Sequence, residues 1–265
     1  MGRALIGGLL KEGLQAQQIS VIETNSETAS QLKKDFAITT INSIDAIALD
    51  ESKNNIVIMA IKPQDFKVAA QALSGKLHAS AAPLILSIAA GIRTNDMSRW
   101  LGQTRCVRAM PNTPALIGKG ITGLFAETTV NDADRNLAEV ICNALGQTVW
   151  VAQEQLLDAV TALSGSGPAY VFAFLEALQA GGEKLGLDSM TARKLAYATV
   201  EGASQLANHS VESASTLRER VTSKGGTTAA ALAVLKNMDW QTTLEKALAA
   251  AAERSKTMGD ELGQG

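Results

Sequence analysis

Short apolar runs rich in β-branched residues alternate with amphipathic stretches through the first half of the chain, and this alternation constrains the fold more than any other feature. Ile19–Glu23 reads as a strand and Ser26–Asp35 as a helix. Ile56–Ile61 and Leu84–Ile88 are nearly continuous apolar runs, the pattern of strands buried on both faces of a parallel sheet. Asp65–Leu77, Thr94–Leu101 and Asp132–Leu145 carry helical spacing, and a further strand is predicted over Arg105–Ala109. Such alternation specifies a doubly wound α/β domain, predicted to occupy residues 1–152.

Past Ala152 the strand signal stops, and residues 153–265 read as an all-helical domain. Val171, Phe174, Leu175 and Leu178 share a helical face, with Ser166 as the expected N-cap and Pro168 in the first turn. Leu244, Leu248, Ala251, Ser255, Met258 and Leu262 form a second stripe. A thin helical layer with stripes to bury commonly finds its partner in a second subunit, so a homodimer, or a larger homo-oligomer of dimers, is expected over a monomeric helical cap.

Hydrophobic residues make up 46% of the chain and charged residues 19%, enough apolar material for a core in each half. A formal charge of −2 gives no electrostatic footprint for nucleic acid or an anionic membrane. Cys106 and Cys142 stand far apart with no CxxC partner, which argues against a zinc site or disulfide framework and suits a reducing cytoplasm. The longest apolar run, Pro83 to Ala90, is too short to span a bilayer, and no leader pattern opens the chain. A soluble cytoplasmic protein is expected.

Two segments invite a chemical reading. Met110-Pro111-Asn112-Thr113-Pro114 follows a predicted strand, where ligands of open α/β sheets bind, although a rigid turn alone also accounts for it. Val221-Thr222-Ser223-Lys224-Gly225-Gly226-Thr227-Thr228 leads into an alanine-rich helix. Glycines and hydroxyls ahead of a helix offer free N–H groups and a positive dipole end to a carboxylate or phosphate; a solvated cap is the plainer alternative.

Together with Ile61-Lys62-Pro63, Ser87-Ile88-Ala89-Ala90-Gly91 and Leu163-Ser164-Gly165-Ser166-Gly167-Pro168-Ala169-Tyr170, these segments resemble, in order and spacing, the pyrroline-5-carboxylate reductase family. The resemblance implies a Rossmann-type domain followed by an all-α dimerisation domain, and reduction of 1-pyrroline-5-carboxylate to L-proline by NADPH or NADH. It assigns Thr228 to the catalytic contact with the ring nitrogen, and Ser223 with the N–H groups of Gly226 and Thr227 to the substrate carboxylate. It places Gly2, Glu23, Asn42, Ala60, Ile61, Lys62, Pro63, Ala89, Ala90 and Asn112 around the cofactor. Glu23 at the end of a strand suits ribose hydroxyls and repels a 2′-phosphate, whereas Thr24, Asn25 and Ser26 could still bind one.

Similar proteins open with a strand and a glycine-rich turn ahead of the helix that starts here at Met1-Gly2. The family pattern therefore implies a further strand between Ile19–Glu23 and Ile56–Ile61, and a start assigned too far downstream accounts for its absence from the sequence. Three other functions are weighed. One is a non-catalytic dinucleotide-binding or regulatory protein. Another is a 3-hydroxy-acid dehydrogenase of the same plan using Lys184, though a solvated lysine beside Glu183 explains that residue. A serine hydrolase on Ser164 or Ser166 fares worst, because neither His78 nor His209 has a triad-like context.

Overall fold

The computed structural model describes residues 1–47, 49, 55–77 and 82–264. It divides into two compact units, Met1–Ser166 with Ala250–Gly265, and Gly167–Ala249.

The first unit contains α1 (Gly2–Lys11), β1 (Ser20–Ile22), α2 (Ser26–Phe36), β2 (Thr39–Ile41), β3 (Ile56–Met59), α3 (Pro63–Ser74), β4 (Leu84–Ser87) and α4 (Thr94–Leu101). It continues with β5 (Cys106–Met110), β6 (Gly120–Ala126), α5 (Asp132–Asn143), β7 (Gly146–Trp150) and α6 (Leu156–Val160). One sheet has the order β3-β4-β5-β6-β7, with β5 and β6 antiparallel and the other pairs parallel. β1 and β2 form a separate parallel pair. Among the described residues no ladder joins β1 to β3, the two strands between which the family pattern puts a further one.

All four residues of β4 are buried because helices cover both faces of the sheet. Leu84 and Leu86 enter a core with Leu5 of α1 and Ala138 and Ile141 of α5. Ile85 points the other way, into a core with Phe66 and Ala70 of α3 and Met97 and Trp100 of α4. Period-2 alternation of direction thus makes a continuous apolar run the correct sequence for a doubly covered strand. Strand and helix bounds fall within a few residues of the sequence expectations, but β2, β6 and β7 were not singled out there.

One expectation needs correction. Ser166 is not an N-cap: its backbone is right-handed helical (φ −84°, ψ −23°), and its N–H donates to the Thr161 carbonyl. The chain enters α7 (Gly167–Lys184) from α6 through a π turn over Thr161–Gly165, so no free helix start exists there to cap. The widened turn sits just ahead of Pro168, which has no N–H to donate. The compact units also divide at Ser166, beyond the strand end at 150–152. Leu157 is fully buried against Gly123 of β6 and holds this segment to the sheet.

The second unit holds α7, α8 (Ser189–His209), α9 (Ala214–Arg220), α10 (Thr227–Asn237) and the start of α11 (Trp240–Gly263). Asp188 caps α8 by accepting the Thr191 N–H, and hydrogen bonds to Thr191 hold its carboxyl below the usual range. Of the expected α7 stripe only Leu175 is buried, whereas Val171, Phe174 and Leu178 remain 44%, 54% and 37% exposed in the single chain. Among the described residues no helix is long and apolar enough to cross a membrane.

Cys106 and Cys142 are free and buried. Burial pushes their thiols up, to about 11 and about 12 respectively. Neither is expected to react with a thiol reagent at pH 8 until the protein is unfolded; rapid labelling of the native state would contradict this burial. The Thr122 hydroxyl on β6 is fully buried and has no hydrogen-bond partner among the described residues. Thr122→Val is expected to raise stability by about 1–3 kcal/mol, read from denaturant midpoints, because it removes an unpaired polar group without changing shape.

Candidate active site

The parallel strands β3, β4 and β5 end at a common level, since Met59 pairs with Ser87 and Ser87 with Arg108. Three loops therefore open side by side at one edge of the sheet: Ala60–Lys62, Ile88–Arg93 and Pro111–Asn112. Gly2 joins them, for a Cβ built on it would lie 3.6 Å from the Ala60 methyl group. The N-terminus of α1 has no side-chain cap and no acidic residue in its first turn, so its orphan N–H groups and positive dipole end are available to an anion. α3 likewise starts without a side-chain cap, with Lys62 at the N-cap and Pro63 at the first helical position. Ala60, Ile61 and Lys62 are exposed, Ala89 is buried and Ala90 half-buried. Ser87 Oγ accepts the Ala89 N–H at 3.2 Å, which fixes the turn leaving β4.

Asn112 organises the third loop. Its Oδ1 accepts the Ile121 N–H at 3.0 Å, and its Nδ2 donates to Ser164 Oγ at 3.2 Å. The same two segments touch again where the Met110 Cε would lie 2.5 Å from any Cβ added at Gly165. Asn112 and Met110 thereby meet Ser164 and Gly165, more than fifty residues further along the chain.

Glu23 is half-buried, and its Oε1 accepts the Asn25 N–H at 2.9 Å. Asn25 in turn caps α2 through the Thr28 N–H. A carboxylate is thus built into the start of α2. Asn42 is exposed just past β2.

The remaining predicted residues lie in the second unit. Gly226 is the N-cap of α10, and Ser223 Oγ sits 2.5 Å from where its Cβ would be, so a side chain there would turn that hydroxyl away. Gly225 takes φ +74°, the left-handed turn that swings the chain into the helix. The Gly226 N–H, expected to face a ligand, is donated instead to the Ser223 carbonyl at 3.0 Å. The N–H groups free of intrahelical acceptors are those of Thr227, Thr228 and Ala229, the first three residues of α10. Ser223 and Thr227 are exposed, and Thr228 is half-buried. The helix start thus gathers orphan N–H groups and the hydroxyls of Ser223, Thr227 and Thr228 in one loop.

A family described as pyrroline-5-carboxylate reductase dimerisation matches residues 154–258, and one described as NADP oxidoreductase coenzyme F420-dependent matches residues 1–91. The pyrroline-5-carboxylate reductase of Pseudomonas aeruginosa is 41% identical over 265 residues, covering 100% of this chain and 95% of the relative. The chain belongs to the pyrroline-5-carboxylate reductase family. The solved reductase of Coxiella burnetii is 37% identical with a TM-score of 0.90, covering 97% of this chain and 94% of that one. The Plasmodium falciparum pyrroline carboxylate reductase, solved with NADP bound, is 28% identical with a TM-score of 0.80 and covers 98% and 96%.

Beneath the site of this pyrroline-5-carboxylate reductase family member lies a polar cluster that sequence reading missed. Arg108 of β5 is buried and pairs with Glu154 Oε1 at 3.1 Å. Glu154 also accepts the Thr94 N–H at 2.8 Å, and the Thr94 hydroxyl lies 3.0 Å from oxygens of both Glu154 and Glu127. The signal was available: a lone arginine in an apolar strand must find a carboxylate when buried. The rival residues gain no such setting. Lys184 is exposed in the last turn of α7, beside Glu183, and His209 is exposed at the end of α8. His78 lies outside the described residues.

Asn112→Ala is expected to cost about 1–3 kcal/mol, because it strips the acceptor from the Ile121 N–H. Ser164→Ala keeps that pairing and should cost less. Equal denaturant midpoints for Asn112→Ala and the parent protein would show that the bridge does not hold the loop.

Proposed function

We propose that this chain reduces 1-pyrroline-5-carboxylate to L-proline, taking hydride from NADPH or NADH at the carboxyl edge of β3–β5. The hydroxyl-flanked N-terminus of α10, in a chain that also carries an open sheet edge with uncapped helix starts, is the observation that carries this reading. A cyclic imino acid presents a carboxylate and a C=N bond, and the loop offers N–H groups for the first and a hydroxyl for the second.

Ser223 Oγ and the Thr227 N–H bind and orient the carboxylate. Thr228 Oγ1 lies against the ring nitrogen, where it accepts from an iminium N–H or donates to a neutral imine. A threonine hydroxyl is too weak an acid to deliver the proton unaided, so its part is positioning and polarisation. On the iminium form the balance closes with the hydride alone; on the neutral imine one proton from water completes the amine. The α1 N-terminus, Ala60–Pro63 and Asn42 hold the dinucleotide, while Ala89, Ala90 and Asn112 lie on its nicotinamide side. A reduced nicotinamide bound there supplies the hydride. Glu23 faces the adenine ribose. The large exposed apolar side chains of the second unit, among them Phe172, Phe174, Leu206 and Trp240, support a homodimer as the smallest working assembly. Two free buried thiols fit a reducing cytoplasm.

Oxidation of NADPH or NADH by the protein should depend on added pyrroline-5-carboxylate; turnover of 3-hydroxy acids without turnover of the imine would overturn the assignment. Thr228→Ala should lower kcat by roughly 10²-fold, comparable to losing one preorganised donor. Ser223→Ala should act mainly on the KM of the imine, since its contact is present in ground and transition states alike. Glu23→Ser should shift kcat/KM toward NADPH over NADH by roughly tenfold, as repulsion of the 2′-phosphate disappears. An unchanged cofactor ratio would place the adenine ribose elsewhere.

A further inference from the structure

We infer that the last turns of α11 position the loop after β4, and so set how the nicotinamide end of the cofactor is held. The inference rests on the reading of Ala89 and Ala90 as the nicotinamide side of the site.

Ser87 Oγ holds one end of the loop Ile88–Arg93 and buried Ile92 the other, and between them Gly91 takes φ +79° at the crest. α11 restrains that crest. A Cβ on Gly91 would lie 3.0 Å from Leu262 Cδ1 and 3.4 Å from Met258 Cε, so the crest is pressed directly on the helix. On the helix side, a Cβ on Gly259 would lie 3.2 Å from the Gly91 carbonyl oxygen and 3.2 Å from Arg93 Nε. The two backbones approach that closely because neither residue has a side chain.

Polar contacts lock the approach. Arg93 pairs with Asp260 at 2.8 Å and donates to the Lys256 carbonyl at 3.2 Å. Arg99 of α4 donates to the Gly263 carbonyl at 2.7 Å. Arg99 thus meets the last carbonyl of α11, where the helix dipole favours a cation, while Arg93 grips the helix about two turns earlier and at Asp260. One turn earlier, buried Ser255 donates to Asp158 of α6 at 2.7 Å. Ser255, Gly259 and Leu262 share one face of α11, so a single face contacts α6, the crest and the core beneath Ala89. Packing alone would not need two arginines on the last two turns of this helix, nor glycine on each side of the contact.

The position of Ala89 and Ala90 therefore depends on residues 255–263. Gly259→Ala tests this without threatening the fold, because alanine is the better helix former. The added methyl must push the Gly91 carbonyl outward by a few tenths of an ångström. Asp260→Asn releases Arg93 instead, and Asp260→Glu should restore the pairing. Two ligands are titrated against each variant: NADPH, and 2′,5′-ADP, which has no nicotinamide. Both Gly259→Ala and Asp260→Asn should weaken NADPH binding several-fold while leaving 2′,5′-ADP unchanged. A kcat for imine reduction lower by about tenfold should accompany this, with the KM of the imine unaltered. Partial recovery is expected in Asp260→Glu. Folded variants with parental NADPH affinity and kcat, or with both ligands weakened alike, would overturn the role. Parent protein that binds NADPH without reducing the imine would sink the proposed reaction, yet the comparison of the two ligands would still decide the role of α11.

Discussion

Burial of β4 and β5 on both faces is the constraint from which the rest of this molecule follows. Helices α1 and α5 cover one side of the sheet and α3 and α4 the other, so the strands have no free face on which to build a site. Only their ends remain open. The parallel order of β3, β4 and β5 then sends three successive chain exits to the same edge, where α1 and α3 start without side-chain caps. The placement of the candidate cofactor residues is thus a consequence of covering a sheet, before any ligand chemistry is considered.

The same burial makes Arg108 expensive. A guanidinium on a covered strand needs a carboxylate, and Glu154 reaches in from the turn after β7 to provide one. Glu154 then has oxygen capacity to spare and takes the Thr94 N–H, so the start of α4 is set by the residue that neutralises β5. A charge that looks costly in isolation connects three elements and fixes where the turn after β7 must pass. Replacing the pair with apolar side chains would cost little in burial, but would remove the reason for that path.

How much of this was legible depended on whether the pattern in a segment matched its environment. β4 was readable because all four residues are buried and all are apolar or small. β2 was not named, for three residues that include Thr39 and Thr40 carry too little periodicity. β6 contains Gly120 and Gly123, which local propensity counts against a strand, yet Gly123 is there to admit Leu157 and Val160. Nothing in the sequence announced that β6 reverses direction, since it is joined to β5 by a short-helical loop and not by a hairpin turn. In the site, Asn112 was picked out by the prolines around it, but its partners Ser164 and Ile121 are set by tertiary packing and were invisible. Ser166 was misjudged because it was credited with a free cap geometry, whereas it belongs to a turn that already uses its N–H. The ligand chemistry of both loops came from resemblance, which no periodicity could have supplied.

The exposed side chains of α7 and α8 have a further consequence. Among the described residues the buried apolar side chains of the second unit are Leu175, Ala192 and Ala196, so this unit has little core of its own. Wherever a second copy covers such a unit, the free energy of association adds to that of folding, and the stability of this half carries a concentration term. The sheet-containing half, with its filled cores, has no such term built into it.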